Sequence, residues 1–182
     1  NMGVGRDAVF GGEFGQGVIA QAGLSGNPRL IEVGTFGKAF GSYGAYVLGT
    51  HEIIEGLRQS MRTLIYSSAL HVAVFSASLE ALNIIKQGER SKALQANISF
   101  FLSHASGLPL LPSTTAIQPV FLGSDESALA AAEQLKDAGF FVPAIRPPTV
   151  PEGQARLRIT LSAVHSQKDI RALIRALSEI VG

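Results

Sequence analysis

A single lysine, Lys38, sits among small residues in the stretch Thr35-Phe36-Gly37-Lys38-Ala39-Phe40-Gly41-Ser42-Tyr43-Gly44. An apolar run from Leu30 to Val33 precedes it, and a second, from Ala45 to Leu48, follows. That order reads as strand, tight loop, strand, with the ammonium group at the loop. Gly37, Gly41 and Gly44 leave room for a bulky group or supply backbone angles that other residues resist. A lysine held in a dry pocket loses its proton more readily and becomes a nucleophile able to condense with a carbonyl group. On residue type alone, the same lysine also reads as a solvated loop residue.

Other groups could share that chemistry. In Arg156-Leu157-Arg158-Ile159-Thr160-Leu161, alternation puts both arginines on one face of a strand. Guanidinium groups grip carboxylates at two points, although two arginines on an open strand face are also simply solvated. Thr35 ends the first apolar run, where a threonine is a good strand former in any case. Ser67 and Ser68 offer hydroxyls suited to phosphate oxygens, or a cap for the helix that follows. The prolines of Ala144-Ile145-Arg146-Pro147-Pro148-Thr149-Val150-Pro151 stiffen a loop that could wall a substrate or form a surface turn. His51, His71, His104 and His165 show no paired spacing for a metal, so no metal site is expected.

The elements that must position these groups are an alternation of helices and strands, which argues for an α/β class. The spacing predicts a short amphipathic helix over 51–60 and a buried strand over 63–66. Long helices are expected over 71–87, closed by Gly88, and over 90–106, closed by Gly107. A strand over 116–122 leads into a helix capped by Ser124 with acids in its first turn, which stops at Gly139. Strands over 140–145 and 156–161 and a last helix over 166–181, with Ser166 as cap and Asp169 three residues on, complete the chain. The glycine-rich run Gly11-Gly12-Glu13-Phe14-Gly15-Gln16-Gly17 lacks the Gly-Lys-Ser/Thr of a phosphate loop, and residues 5–29 read as surface loop.

Composition sets outer bounds. Hydrophobic residues make up 46% of the 182 and charged ones 16%, enough apolar material for a large core. A net charge of +1 gives no electrostatic reason to expect nucleic acid or an anionic membrane. With no cysteine there is no disulfide, thiolate metal site or cysteine nucleophile. The sequence contains no transmembrane run and no signal peptide, so a cytoplasmic location is expected.

The string Thr-Phe-Gly-Lys-Ala-Phe-Gly-Ser-Tyr-Gly-Ala around Lys38 resembles the cofactor-lysine segment of the α-oxoamine synthases, pyridoxal-phosphate enzymes of the aspartate-aminotransferase fold, type I. The resemblance implies that Lys38 carries pyridoxal 5'-phosphate and then takes the substrate α-proton. It further implies that Thr35 binds the cofactor phosphate, that Ser67 and Ser68 reach the phosphate of the neighbouring subunit across a homodimer, and that Arg158 binds the substrate carboxylate while Arg156 is structural. Residues 144–151 resemble the loop of the member that condenses L-alanine with a pimeloyl thioester, with loss of carbon dioxide, in biotin synthesis. A glycine C-acetyltransferase-like member and a non-catalytic half-enzyme that only dimerises or binds are the alternatives.

Asn1 to Val4 resembles the end of the family's Asp-Glu-Ala-His-Ser-Met-Gly-Val segment, and the resemblance implies that this is roughly the C-terminal half of a synthase. The pyridinium-nitrogen aspartate and the ring-stacking histidine are then expected before Asn1, and the half alone is expected to be inactive. Where the family has Gly-x-x-Gly-Arg-Gly, Gln16 replaces the arginine. Residues 1–88 are expected to be the end of the large cofactor domain and 89–182 the small C-terminal α/β domain.

Overall fold

A computed structural model describes residues 17–181, so the readings placed on Asn1–Val4 and on the glycine run up to Gln16 lie outside the described residues. The chain divides after Ser91 into two compact units.

Among the described residues, the first unit opens on a one-turn helix, α1 (Gly17–Gln21), where surface loop was expected, and exposed turns over 22–29. Strands β1 (Glu32–Thr35) and β2 (Ala45–Leu48) then form an antiparallel hairpin with Glu32 opposite Leu48 and Thr35 opposite Ala45. The first strand lies two residues later than the apolar run suggests, because Phe36 N–H donates to Gly44 O at 2.9 Å and extends the ladder into the loop. Helix α2 (His51–Ser60) half-buries Ile53, Ile54 and Leu57, the stripe read from the sequence.

The strand expected over 63–66 is instead a short exposed helix, α3 (Arg62–Ile65). Leu64 and Ile65 N–H groups both donate to Met61 O at 3.0 Å, so local helical bonds satisfy the backbone. A four-residue apolar run has too little length for periodicity to separate the two forms. Helix α4 (Val72–Gln87) starts with His71, whose Nδ1 accepts from Ala73 N–H at 3.1 Å, and ends at Gly88 in the left-handed region.

Helix α5 (Glu89–His104) carries the chain into the second unit and stops short of the expected 106. There, β3 (Ile117–Gly123), β5 (Ala155–Thr160) and β4 (Ala144–Ile145) form an antiparallel sheet with β5 in the middle. The strand expected over 140–145 shrinks to its last two residues. Gly139 turns the chain with φ +90°, Phe140 N–H still bonds back to Leu135 O, and Pro143 has no N–H to offer a ladder.

Helices α6 (Asp125–Asp137) and α7 (Gln167–Val181) supply the apolar cover of this sheet. Ala155, Leu157 and Ile159 of β5 are buried together with Leu135 of α6 and Ile170 and Leu177 of α7. Every buried apolar side chain among the described residues belongs to this second unit, from Ile98 to Leu177. The first unit leaves Val33 69%, Val72 71% and Tyr66 78% exposed. The two units therefore differ in the main favourable term of folding: the second encloses its apolar area and the first leaves it open.

Helix α7 opens with a reciprocal cap. The Ser166 hydroxyl donates to Asp169 Oδ2 at 2.6 Å, and Asp169 N–H donates to Ser166 Oγ at 3.2 Å. The Ser166 hydroxyl, and after it the Ser166 backbone N–H, hold the Asp169 carboxyl below the usual aspartate range. A folded-state pKa below the unfolded one gives stability that is present above the unfolded value and lost as pH falls through the folded one. In the intact protein, Asp169→Asn should flatten the acid limb of the unfolding free energy against pH. An unchanged acid limb would mean that the capping carboxylate contributes nothing.

Candidate functional site

The hairpin loop between β1 and β2 is shaped by two left-handed glycines. Gly41 has φ +56° and Gly44 φ +103°, angles that a side chain resists. Gly41 N–H donates to Lys38 O at 2.9 Å and Ser42 N–H to Phe36 O at 2.9 Å, so the lysine sits in a closed turn. Three rings brace its base: Phe36 lies 5.0 Å from Phe40 edge-on and 5.2 Å from Tyr46. The Tyr46 hydroxyl donates to Glu32 Oε1 at 2.8 Å, and its ring lies where a Cβ on Gly34 would stand.

A polar tie fixes the loop to α4. The Ser78 hydroxyl is 2.9 Å from Ser42 Oγ and 2.8 Å from Val74 O. Ser78 is one of the few buried polar residues among those described, so this tie is shielded from competing water. Sequence reading missed it, and the 36-residue separation of its partners leaves no local signal to find.

Thr35, half-buried at the end of β1, and Lys38 are brought together on this hairpin. The Lys38 side chain is exposed, not enclosed in the dry pocket that its surroundings in sequence suggest. The physical reason is that the contacts of this loop, with Phe36 and through the Ser42–Ser78 tie, fall on residues beside Lys38 and leave the lysine side chain open.

Ser67 and Ser68 lie between α3 and α4 in the same unit, both exposed. The Ser67 hydroxyl donates back to Thr63 O. Neither serine caps α4, a role taken by His71. No hydrogen bond joins them to Thr35 or Lys38 among the described residues.

Arg158 belongs to the second unit. It stands exposed on the face of β5 opposite to Leu157 and Ile159, its N–H bonded to Pro143 O at 2.9 Å. Arg156 shares that face, half-buried, with Nε donating to Gln154 O at 2.9 Å. The donor set is thus a primary amine with a threonine hydroxyl three residues before it, two serine hydroxyls, and guanidinium groups on a separate sheet. These fit an aldehyde-bearing phosphate cofactor and a carboxylate substrate in kind. Among the described residues, no group of three His, Asp or Glu side chains could hold a metal ion.

Comparison with known proteins agrees with that chemistry. Residues 7–177 match the family described as aminotransferase class I and II. The chain is 45% identical over 173 residues to the 8-amino-7-oxononanoate synthase of Saccharophagus degradans, covering 93% of this chain and 44% of that protein. It is 43% identical over 172 residues to the synthase of the same name from Dechloromonas aromatica, again over 93% and 44%. The chain therefore spans somewhat less than half the length of these relatives.

Among solved structures, the 8-amino-7-oxononanoate synthase of Francisella tularensis superposes with a TM-score of 0.81 at 31% identity, covering 96% of this chain and 52% of that one. A serine palmitoyltransferase from S. paucimobilis, solved with bound PLP-myriocin, gives 0.84 at 26% identity, over 98% and 46%. The resemblance read from the Lys38 segment is borne out, and the fold is that of the type I pyridoxal-phosphate enzymes.

If the glycine turn holds the lysine loop, a side chain at Gly44 should loosen it. A Cβ there would meet Leu70 Cδ1 at 2.8 Å in a backbone conformation with φ +103°. Gly44→Ala should destabilise the intact protein by about 1–3 kcal/mol. It should also speed amide exchange at Gly41 and Ser42, and unchanged exchange at both would refute the role given to this glycine.

Proposed function

Because the chain belongs to the aminotransferase class I and II family, whose type I fold goes with pyridoxal 5'-phosphate, we propose that it is the lysine-bearing part of an α-oxoamine synthase. Its reaction joins L-alanine to the acyl carbon of a pimeloyl thioester, releasing the free thiol of the acyl carrier and carbon dioxide, to give 8-amino-7-oxononanoate for biotin. The observation that carries this reading is Lys38 itself, fixed in a glycine-turned hairpin loop three residues after Thr35. Identity of 43–45% to proteins named 8-amino-7-oxononanoate synthase supports the alanine-specific reaction over a glycine-specific one.

The cofactor, when bound, supplies an aldehyde for the amine and an electron-withdrawing ring. This chain's residues do the rest of what is proposed for it. Lys38 Nζ anchors the cofactor and, once released, takes the α-proton of the amino acid. The Thr35 hydroxyl binds cofactor phosphate, and Ser67 and Ser68 reach the phosphate of a second subunit, so that the working enzyme is a homodimer with shared sites. Both serines are exposed, which leaves them open to such a partner. Arg158 clamps the amino-acid carboxylate, and residues 144–151 wall the acyl side.

Residues 1–88 then form the end of the large cofactor domain and 89–182 the small domain. Unit 1 exposes Lys38 and most of its described apolar residues, which fits a part that works only with the remainder of a synthase around it. No described helix is long and apolar enough to cross a membrane, and we place the enzyme in the cytoplasm.

In the intact enzyme, Lys38→Ala should lower kcat by at least about 10²-fold, the lower end of what a positioned proton acceptor contributes. Arg158→Ala should raise KM for L-alanine by about ten- to a hundred-fold, as expected for a lost charge-assisted pair. A pure binding module would keep its partner affinity in both variants and show no condensation in the parent. Turnover of glycine with acetyl thioester in preference to alanine would replace the substrate assignment.

A further inference from the structure

We propose that Arg156 is the residue that selects the acyl donor: it takes a carboxylate at the far end of the acyl chain, while Arg158 takes the carboxylate of the amino acid. This rests on the reaction proposed above and names a specificity determinant within it. A pimeloyl thioester differs from an ordinary fatty acyl thioester in that terminal carboxylate, so an enzyme committed to it needs a second cation.

Strand β5 supplies one. Ala155, Leu157 and Ile159 are buried, so Arg156, Arg158 and Thr160 share the opposite face. Two residues along a strand put the arginine Cα atoms about 6.7 Å apart, near enough to serve one extended substrate and far enough to hold two separate carboxylates. Neither arginine forms a salt bridge among the described residues, where the ion pair present is Arg58–Glu55. Two like charges on one strand face, with no carboxylate between them, are an electrostatic arrangement that a dianion completes.

The two arginines are not equivalent. Arg158 lies opposite Pro119 and is exposed. Arg156 lies between Phe121 of β3 and Ile145 of β4, its cross-strand partners, both only half-exposed. That pair offers an apolar lining for a methylene chain on the way to the guanidinium. Arg156 is also held: its Nε is spent on Gln154 O at 2.9 Å, which fixes the direction of the side chain and leaves both terminal NH₂ groups to donate. Fixing the fork before the ligand arrives lowers the ordering cost of binding. The sequence reading treated Arg156 as structural; its half-buried place between two apolar neighbours argues otherwise.

The test uses the intact enzyme with L-alanine and two coenzyme A thioesters of equal chain length, one ending in a carboxylate and one in a methyl group. The parent should prefer the carboxylate-ended donor. In Arg156→Ala, KM for that donor should rise by about ten- to a hundred-fold, with the methyl-ended donor and KM for alanine unchanged. Arg156→Lys should keep part of the preference, and Arg175→Ala, altering an exposed arginine of α7, should keep all of it. Should the alanine variant fail to fold, Arg156→Gln is read in the same way.

Equal loss on both donors would assign Arg156 to the carrier's phosphates or to the sheet, and overturn the proposal. Loss of preference in Arg146→Ala with Arg156→Ala unaffected would move the role to the 144–151 wall and overturn it too. A parent that condenses alanine with thioesters but shows no preference, or a variant that retains it, sinks this inference alone. A parent that condenses alanine with neither thioester sinks the reaction, and this inference with it.

Discussion

The register of β5 is the constraint on which the second unit depends. This strand pairs on both sides, with Leu157 opposite Val120 on β3 and Ala144 on β4. Its side chains alternate strictly between core and open face. A slip of one residue would carry Arg156 and Arg158 into a core closed by Leu135, Ile170 and Leu177, and put Leu157 in water. Burying two unpaired guanidinium groups would be prohibitive, so the hydrophobic pattern that stabilises the sheet also fixes where its cations point. Positioning of charge and stability of the core are here one event, and the Gln154 carbonyl then sets the direction of the Arg156 fork.

The first unit is organised by a different balance. It has no buried apolar side chain among the described residues, and its hairpin is instead held by directional contacts: a ladder bond continued into the loop, three rings in edge-on and tilted contact, and the Ser42–Ser78 tie. Hydrogen bonds of this kind contribute on the order of 1 kcal/mol each, less where water can compete. They specify a loop shape well and stabilise a domain poorly. The apolar stripe Val72, Phe75 and Leu79 on α4, at helical spacing, is open for the same reason.

What could be read from the sequence follows from how local each determinant is. The bounds of α4 and α7 were legible because Gly88, Ser166 and Asp169 act within one turn of themselves. The run at 63–66 was not, since a short apolar segment takes its form from whether a neighbouring strand is available to pair with it. Pro143 gave notice that a strand over 140–145 would be incomplete, through its missing N–H, but the continuous apolar run around it concealed the fact. At the site, Thr35 and Lys38 were legible because strand, loop and strand are contiguous in the chain. The contact of Ser42 with Ser78 was not, as two serines 36 residues apart carry no pattern. The shared face of Arg156 and Arg158 followed from alternation alone, whereas their unequal burial depends on what stands across the ladder on β3 and β4.

The contrast between a fixed loop and an exposed side chain at Lys38 also has a chemical reading. In the role proposed for Lys38, the amine first anchors a cofactor and later moves a proton, and it must change position between the two tasks, so its stem must stay mobile. Its backbone must not, because a displacement of about 1 Å at a reacting centre is enough to cost a large factor in rate. Gly41 and Gly44 turn the chain tightly on one side of the loop, and Ser42, set between them, ties the turn to α4. The lysine is left at the far side, with its carbonyl held by Gly41 N–H and its side chain unencumbered. Rigidity is thus confined to the main chain, and freedom to the four carbons that carry the amine.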